Sequence, residues 1–139
     1  MLFVGAFERQ LDDQGRLALP ATFRDHLGGH CYLAKGQDKC VTVVPSATFE
    51  EEAEVMAARV RLGDVSRNQL RALASSAILV TLDKQGRVNV DEQLRDYAGL
   101  QLGEPVTVAG SFDRLELWSP QRFTLVNDDG TGDLAGDDQ

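Results

Sequence analysis

The chain has 139 residues, 42% hydrophobic and 26% charged. That make-up fits one domain, or two small halves sharing a core, and excludes wholesale disorder, a fibrous repeat and most multidomain enzymes. Fourteen Lys+Arg stand against 22 Asp+Glu for a net charge of −8, which at first sight argues against a nucleic-acid partner.

In chain order, an extended segment from Phe3 to Leu11 runs into Asp12-Asp13-Gln14-Gly15, and a short strand from Arg16 to Leu19 follows. Leu17 and Leu19 alternate with polar or small neighbours, as in a half-buried strand. An Asp at the head of a turn accepts backbone N–H bonds across it, and Gly takes the positive φ of a bulge, so Asp12 to Gly15 is expected to be a hairpin turn. Pro20 then opens a short helix carrying Phe23 and Leu27 inward, and Gly28 closes it. A second hairpin, Cys31 to Lys35 with Cys40 to Val44, turns at Gly36 to Lys39 and sets Lys35 opposite Cys40 and Cys31 opposite Val44. The two cysteines are then out of register. They read as small buried hydrophobes of a reducing compartment, not as a disulfide or as zinc ligands with His26 and His30, and no metal is expected.

Phe49, Ala53, Met56 and Val60 recur at helical spacing, and Glu50, Glu51, Glu52 and Glu54 lie between them as a solvated face. Gly63-Asp64 separates this helix from a second apolar stripe at Leu70, Leu73, Ala74 and Ala77. Arg59, Arg61, Arg67 and Arg71 either form a basic face here or balance the glutamates.

Beyond this point the chain repeats itself. Leu11 to Gly28 overlies Leu82 to Gly99 at an offset of 71, with eight of 18 positions identical: Leu, Asp, Gln, Gly, Arg, Arg, Asp and Gly. The match resumes at an offset of 74, pairing Gly36 with Gly110, Val43 with Leu117, and Phe49 with Phe123. The second copy therefore predicts a strand from Ile78 to Leu82, a turn from Asp83 to Gly86 and a strand from Arg87 to Val90. A helix capped by Asp91 and Gly99 follows, with Leu94 and Ala98 inward, and then a hairpin of Pro105 to Ala109 with Leu115 to Trp118. The organisation is a first repeat at 1–50, a helical insert at 51–77, a second repeat at 78–126, and an acidic, disordered tail at 127–139. A copy of about 50 residues buries only a marginal core, so the two ββαββα repeats are expected to interlock as one α+β domain with pseudo-twofold symmetry. The tail holds Asp128, Asp129, Asp133, Asp137 and Asp138; without them the net charge falls from −8 to −3. A ligand within a Debye length of roughly 8 Å feels the face it touches more than the total.

No Gly-x-Ser-x-Gly, phosphate loop, paired His ligands or Gly-x-Gly-x-x-Gly occurs, so neither catalysis nor a cofactor is expected. What a turn does not require is the Arg directly after its Gly in both copies. Such a guanidinium offers a planar fork of donors suited to phosphate oxygens or to guanine O6 and N7. It can equally fold back onto Asp12 or Asp83 as an ion pair, and an Asp that orients the Arg also preorganises it. Phe7, Phe23, Phe49, Phe123 and Trp118 read as core or subunit interface and not as base-stacking platforms.

The paired Asp-x-x-x-Arg motifs do not stand alone. Phe3 and Gly5 near the start, Leu-Asp-x-x-Gly-Arg-Leu-x-Leu-Pro-Ala from Leu11 to Ala21, Lys-Gly-x-Asp-x-Cys from Lys35 to Cys40 and Leu-Glu-x-Trp from Leu115 to Trp118 form an ordered set. This set resembles the MraZ family of bacterial transcriptional regulators, whose halves are similar to AbrB-type swapped-hairpin domains. The resemblance covers the chain to about Val126. It implies an AbrB-like swapped-hairpin β-barrel and a ring-shaped homo-oligomer at the nucleoid. The implied partner is double-stranded promoter DNA carrying short guanine-rich direct repeats in the division and cell-wall gene cluster, including the protein's own promoter. The DNA-contacting motif carries over onto Asp12 and Arg16 and onto Asp83 and Arg87, with Gln14, Lys84 and Gln85 beside them. Asp13 of the first loop is Lys84 in the second, so the loops are expected to be unequal. The alternative is an oligomeric scaffold or protein-interaction module of the same fold without direct DNA binding.

Overall fold

The computed structural model describes residues 2–136. The elements are β1 (Ala6–Gln10), β2 (Arg16–Ala18), α1 (Ala21–Leu27), β3 (His30–Lys35), β4 (Val41–Pro45), α2 (Ser46–Arg61) and α3 (Arg67–Ser76), followed by β5 (Ile78–Thr81), β6 (Arg87–Asn89), α4 (Glu92–Ala98), β7 (Pro105–Gly110), β8 (Leu115–Trp118) and α5 (Pro120–Ala135). Six strands form one antiparallel sheet in the order β1-β7-β8-β4-β3-β5, and β2 and β6 form a separate two-stranded ribbon. Under the sequence repeat β1 corresponds to β5, β3 to β7 and β4 to β8, so the order reads the same from either end. The first strand of each half pairs with the third strand of the other, β1 with β7 and β5 with β3.

The sheet is open, not the closed barrel expected. It ends at β1 and β5, because the strands that follow them through the Asp-x-x-Gly turns are three residues long and hydrogen-bond each other instead of continuing the ladder. The β3–β4 hairpin also differs from expectation by one residue. Lys35 lies opposite Val41 and Cys31 opposite Pro45, since Gln37–Lys39 form a 3-10 turn and the Gly36 N–H donates to the Cys40 carbonyl at 2.8 Å, leaving Cys40 in the turn.

The core lies between the sheet, the ribbon and the short helices α1 and α4. Leu11, Leu17, Leu19, Phe23, Leu33, Val43, Val88, Val90, Leu94, Val106 and Leu117 are all buried in it. Each such side chain contributes roughly 1.5–3 kcal/mol through removal from water. Cys31 and Cys40 are fully buried as well. Phe7, expected inward, is 38% exposed on the edge strand β1, where its ring meets Phe23 edge-on.

In the helical insert, α2 begins at Ser46 and so runs through the expected boundary at 50. It ends where Gly63 adopts φ 85°, and Ser66 caps α3 by accepting the Gln69 N–H. Glu50, Glu51, Glu52 and Glu54 are exposed as a solvated face, and Glu52 pairs with Arg114. The stretch expected to be a disordered tail is helical through Ala135. Ser119 caps α5, Pro120 occupies its first turn, and Phe123 and Val126 pack on the buried cluster of Cys40, Ala109 and Trp118. The helix is thus nucleated on apolar contacts, and Asp128, Asp129 and Asp133 ride on exposed positions beyond them. Asp137 and Asp138 lie outside the described residues. Among the described residues no helix is long and apolar enough to cross a membrane.

Candidate nucleic-acid interface

The two turns that begin at Asp12 and Asp83 fold alike because their chemistry is the same. In the first, Oδ1 of Asp12 accepts the Gln14 N–H at 2.9 Å and the Arg16 N–H at 2.8 Å. In the second, Oδ1 of Asp83 accepts the Gln85 and Arg87 N–H groups, both at 2.9 Å. Each turn is closed by the Gly N–H donating to the Asp carbonyl, at 3.1 Å for Gly15 and 2.9 Å for Gly86. The glycines adopt φ 82° and 74°, the left-handed region a side chain resists. Bonds from the Arg16 and Arg87 backbone N–H groups, first among several donors, hold the Asp12 and Asp83 carboxyls below their ordinary range.

The remaining carboxylate oxygen of each Asp accepts from the Arg side chain, Nε of Arg16 at 2.9 Å and Nε of Arg87 at 2.7 Å. Only Nε is engaged: among the described residues the two terminal nitrogens of each guanidinium have no protein acceptor. The Arg16 side chain is 37% exposed and that of Arg87 27%. The ion pair therefore orients the fork while leaving four N–H donors of each guanidinium for a ligand.

Placement of the two arginines relative to one another follows from the ribbon. Arg16 pairs with Asn89, Leu17 with Val88 and Ala18 with Arg87. Side chains alternate, so Leu17 and Val88, both fully buried, fix the inner face. Arg16, Ala18, Arg87 and Asn89 occupy the outer one. Arg16 and Arg87 are diagonal neighbours, a relation that puts their backbones roughly 7–8 Å apart. Each turn's Gly carbonyl extends the ribbon, accepting from Leu19 N–H at 3.0 Å in one case and from Val90 N–H at 2.7 Å in the other.

All seven sequence-predicted residues thus lie on the two turns and the ribbon between them, with Gln14, Lys84 and Gln85 exposed at the tips. Three further residues join them that sequence reasoning did not single out. Asn89 is the exposed cross-strand partner of Arg16, and since its counterpart in the repeat is Ala18, no self-similarity flagged it. Arg24 and Arg95 reach the turns from α1 and α4. Those two are one of the eight identities of the repeat, a signal that was present in the sequence.

Comparison with known proteins places the chain in a family. The family model described as "MraZ protein, putative antitoxin-like" matches residues 2–69 and 73–128. A "Transcriptional regulator MraZ" from Corynebacterium jeikeium is 39% identical over 139 residues, covering 99% of this chain and 96% of that protein. Proteins of the same name from Nocardioides and Roseiflexus are 41% and 37% identical, covering 88% and 90% of this chain and 84% and 86% of theirs. The chain belongs to the MraZ family. A solution structure from Pyrococcus horikoshii is covered to 98% of its length and matches 86% of this chain at 16% identity with a TM-score of 0.37.

Proposed function

We infer that this protein is a transcriptional regulator that binds double-stranded DNA through the outer face of the β2–β6 ribbon, with Arg16 and Arg87 as the contacting groups. The observation that carries this reading is the pair of guanidinium forks, each anchored by Nε alone, on one face of one ribbon. A two-stranded ribbon fits the B-DNA major groove, about 12 Å wide, and an Arg fork is matched to guanine O6 and N7 or to phosphate oxygens. Gln14, Lys84 and Gln85 line the approach. Lys84 favours a phosphate at the second turn, where Asp13 disfavours one at the first.

A subunit of net charge −8 makes few phosphate contacts. Affinity then comes from several copies meeting several repeats, a gain of roughly 10²- to 10⁴-fold when the spacings agree. A ring-shaped homo-oligomer whose halves are swapped-hairpin units provides that display. The target is short direct repeats in the division and cell-wall gene cluster, including the protein's own upstream region, as the family resemblance implies.

The test is a binding titration on that upstream fragment at several salt concentrations. Affinity is expected to fall steeply with salt, because phosphate contacts release counterions. Arg16→Ala and Arg87→Ala are each expected to weaken binding with the assembly size unchanged. Binding that ignores both substitutions removes the arginines from the interface, and no binding at low salt favours the scaffold reading.

A further inference from the structure

In each half, the helix arginine supports the turn of the other half. Arg24 of α1 donates from Nε to the Leu19 carbonyl at 3.0 Å and from Nη1 to the Gln85 carbonyl at 3.4 Å. Its side chain lies so close over Gly86 that a Cβ there would overlap Cδ. On the other side of Leu19, the N–H donates to the Gly86 carbonyl at 3.0 Å. Leu19, Arg24, Gln85 and Gly86 therefore form a closed circuit between the halves.

The counterpart runs the opposite way. Arg95 of α4 donates from Nη1 to the Val90 carbonyl at 3.2 Å, and the Val90 N–H donates to the Gly15 carbonyl at 2.7 Å. A Cβ on Gly15 would meet Arg95 Nη1 at 2.5 Å. Both turn glycines have positive φ and lie under an arginine of the other half; at Gly86 the middle of the Arg24 side chain fills the space a Cβ would take, and at Gly15 the end of the Arg95 side chain does.

We propose that Arg24 and Arg95 are positioning residues that act crosswise, Arg24 setting Arg87 of the second loop and Arg95 setting Arg16 of the first. The proposal rests on the DNA-binding reading above. Its physical basis is that Arg16 and Arg87 each follow directly on a glycine, the residue with the widest backbone freedom. A fork that covers the glycine, and in the second loop also bonds the carbonyl before it, removes that freedom at the point where the DNA-facing side chain is aimed. The two loops are consequently coupled: a lesion in one half's helix is read out at the other half's arginine.

Two measurements test this. The first is DNA affinity in single-loop backgrounds, with Arg87→Ala leaving the first loop and Arg16→Ala the second. Adding Arg95→Ala to Arg87→Ala is expected to lower affinity by about fivefold, while adding Arg24→Ala changes it less than about twofold; in the Arg16→Ala background the order reverses. A same-half pattern, or equal losses in both backgrounds, overturns the proposal. If Arg16→Ala and Arg87→Ala do not themselves weaken binding, it is the DNA-binding reading that fails.

The second measurement needs no DNA. Amide exchange of Arg87 and Gln85 is expected to quicken in Arg24→Ala with Arg16 and Gln14 unchanged, and the converse holds in Arg95→Ala. Uniform acceleration marks a merely structural role and overturns the crosswise one. Arg24→Lys and Arg95→Lys, which keep the stem and charge but lose the fork, give the same comparison should an alanine variant not fold.

Discussion

Gly86→Ala offers a direct measure of how tightly the second turn is built, because Gly99 supplies a control. The two glycines have similar conformations, φ 74° and 68°. Alanine at either position incurs the left-handed penalty of roughly 1–2 kcal/mol. At Gly99 nothing lies within 4 Å of the added Cβ, so that penalty is the whole effect. At Gly86 the Cβ collides with the middle of the Arg24 side chain, and the arginine must abandon its bonds to the Leu19 and Gln85 carbonyls. Two partly solvated bonds add about 1–2 kcal/mol, for a total of roughly 2–4 kcal/mol. Gly15→Ala should fall between the two, since its Cβ meets the mobile end of Arg95 at 2.5 Å, with Asn89 Oδ1 and the Val90 carbonyl each at 3.3 Å. Thermal denaturation at one protein concentration reads the order, and Gly86→Ala should melt about 5 °C below Gly99→Ala for a domain of this size. Equal shifts for Gly86→Ala and Gly99→Ala would refute the claim that Arg24 occupies the space above the turn.

Acid titration and thiol chemistry supply two more expectations. The Asp12 and Asp83 carboxyls sit below the ordinary 3.8, so the stability they contribute is present above that value and is lost as pH falls through their lowered native range. In urea titrations the difference between the wild type and Asp83→Asn should hold from neutrality to about pH 5 and vanish in strong acid; a difference that survived there would mean the charge is not what the turn uses. Burial pushes the Cys31 thiol up to about 11 and that of Cys40 to about 12. Both should resist alkylation at about pH 8 in the folded protein and react once denatured. Rapid modification of either in the native state would contradict the packing of β3 and the turn that follows it.

The local structure of the two Asp-x-x-Gly turns was legible in the sequence. Asp-x-x-Gly-Arg dictates its own backbone: an Asp oxygen can reach the N–H groups two and four residues on, and a glycine is needed where φ is positive. The short helices were legible too, since Phe23 and Leu27, like Leu94 and Ala98, are spaced to face one side. The β3–β4 register was not, because it depends on how many residues the 3-10 turn at Gln37–Lys39 consumes. Nor was the helix through Asp128, Asp129 and Asp133, whose composition reads as disordered until Cys40, Ala109 and Trp118 offer Phe123 and Val126 a surface.

What the sequence determined by itself was the duplication and the local chemistry of each half: two Asp-x-x-Gly turns of one backbone design, each followed by an arginine and differing at Asp13 and Lys84. Only the tertiary structure decided that β1 pairs with β7 and β5 with β3, that β2 and β6 leave the sheet to pair with each other, and that Arg16 and Arg87 therefore share one face. The reason is one of range. A turn is fixed by bonds among neighbours four residues apart or fewer, which the sequence spells out. The cross-half partner of a strand, and the arginine that fills the space over a glycine, come from roughly 45 to 103 residues away and are chosen by which apolar faces can be buried together.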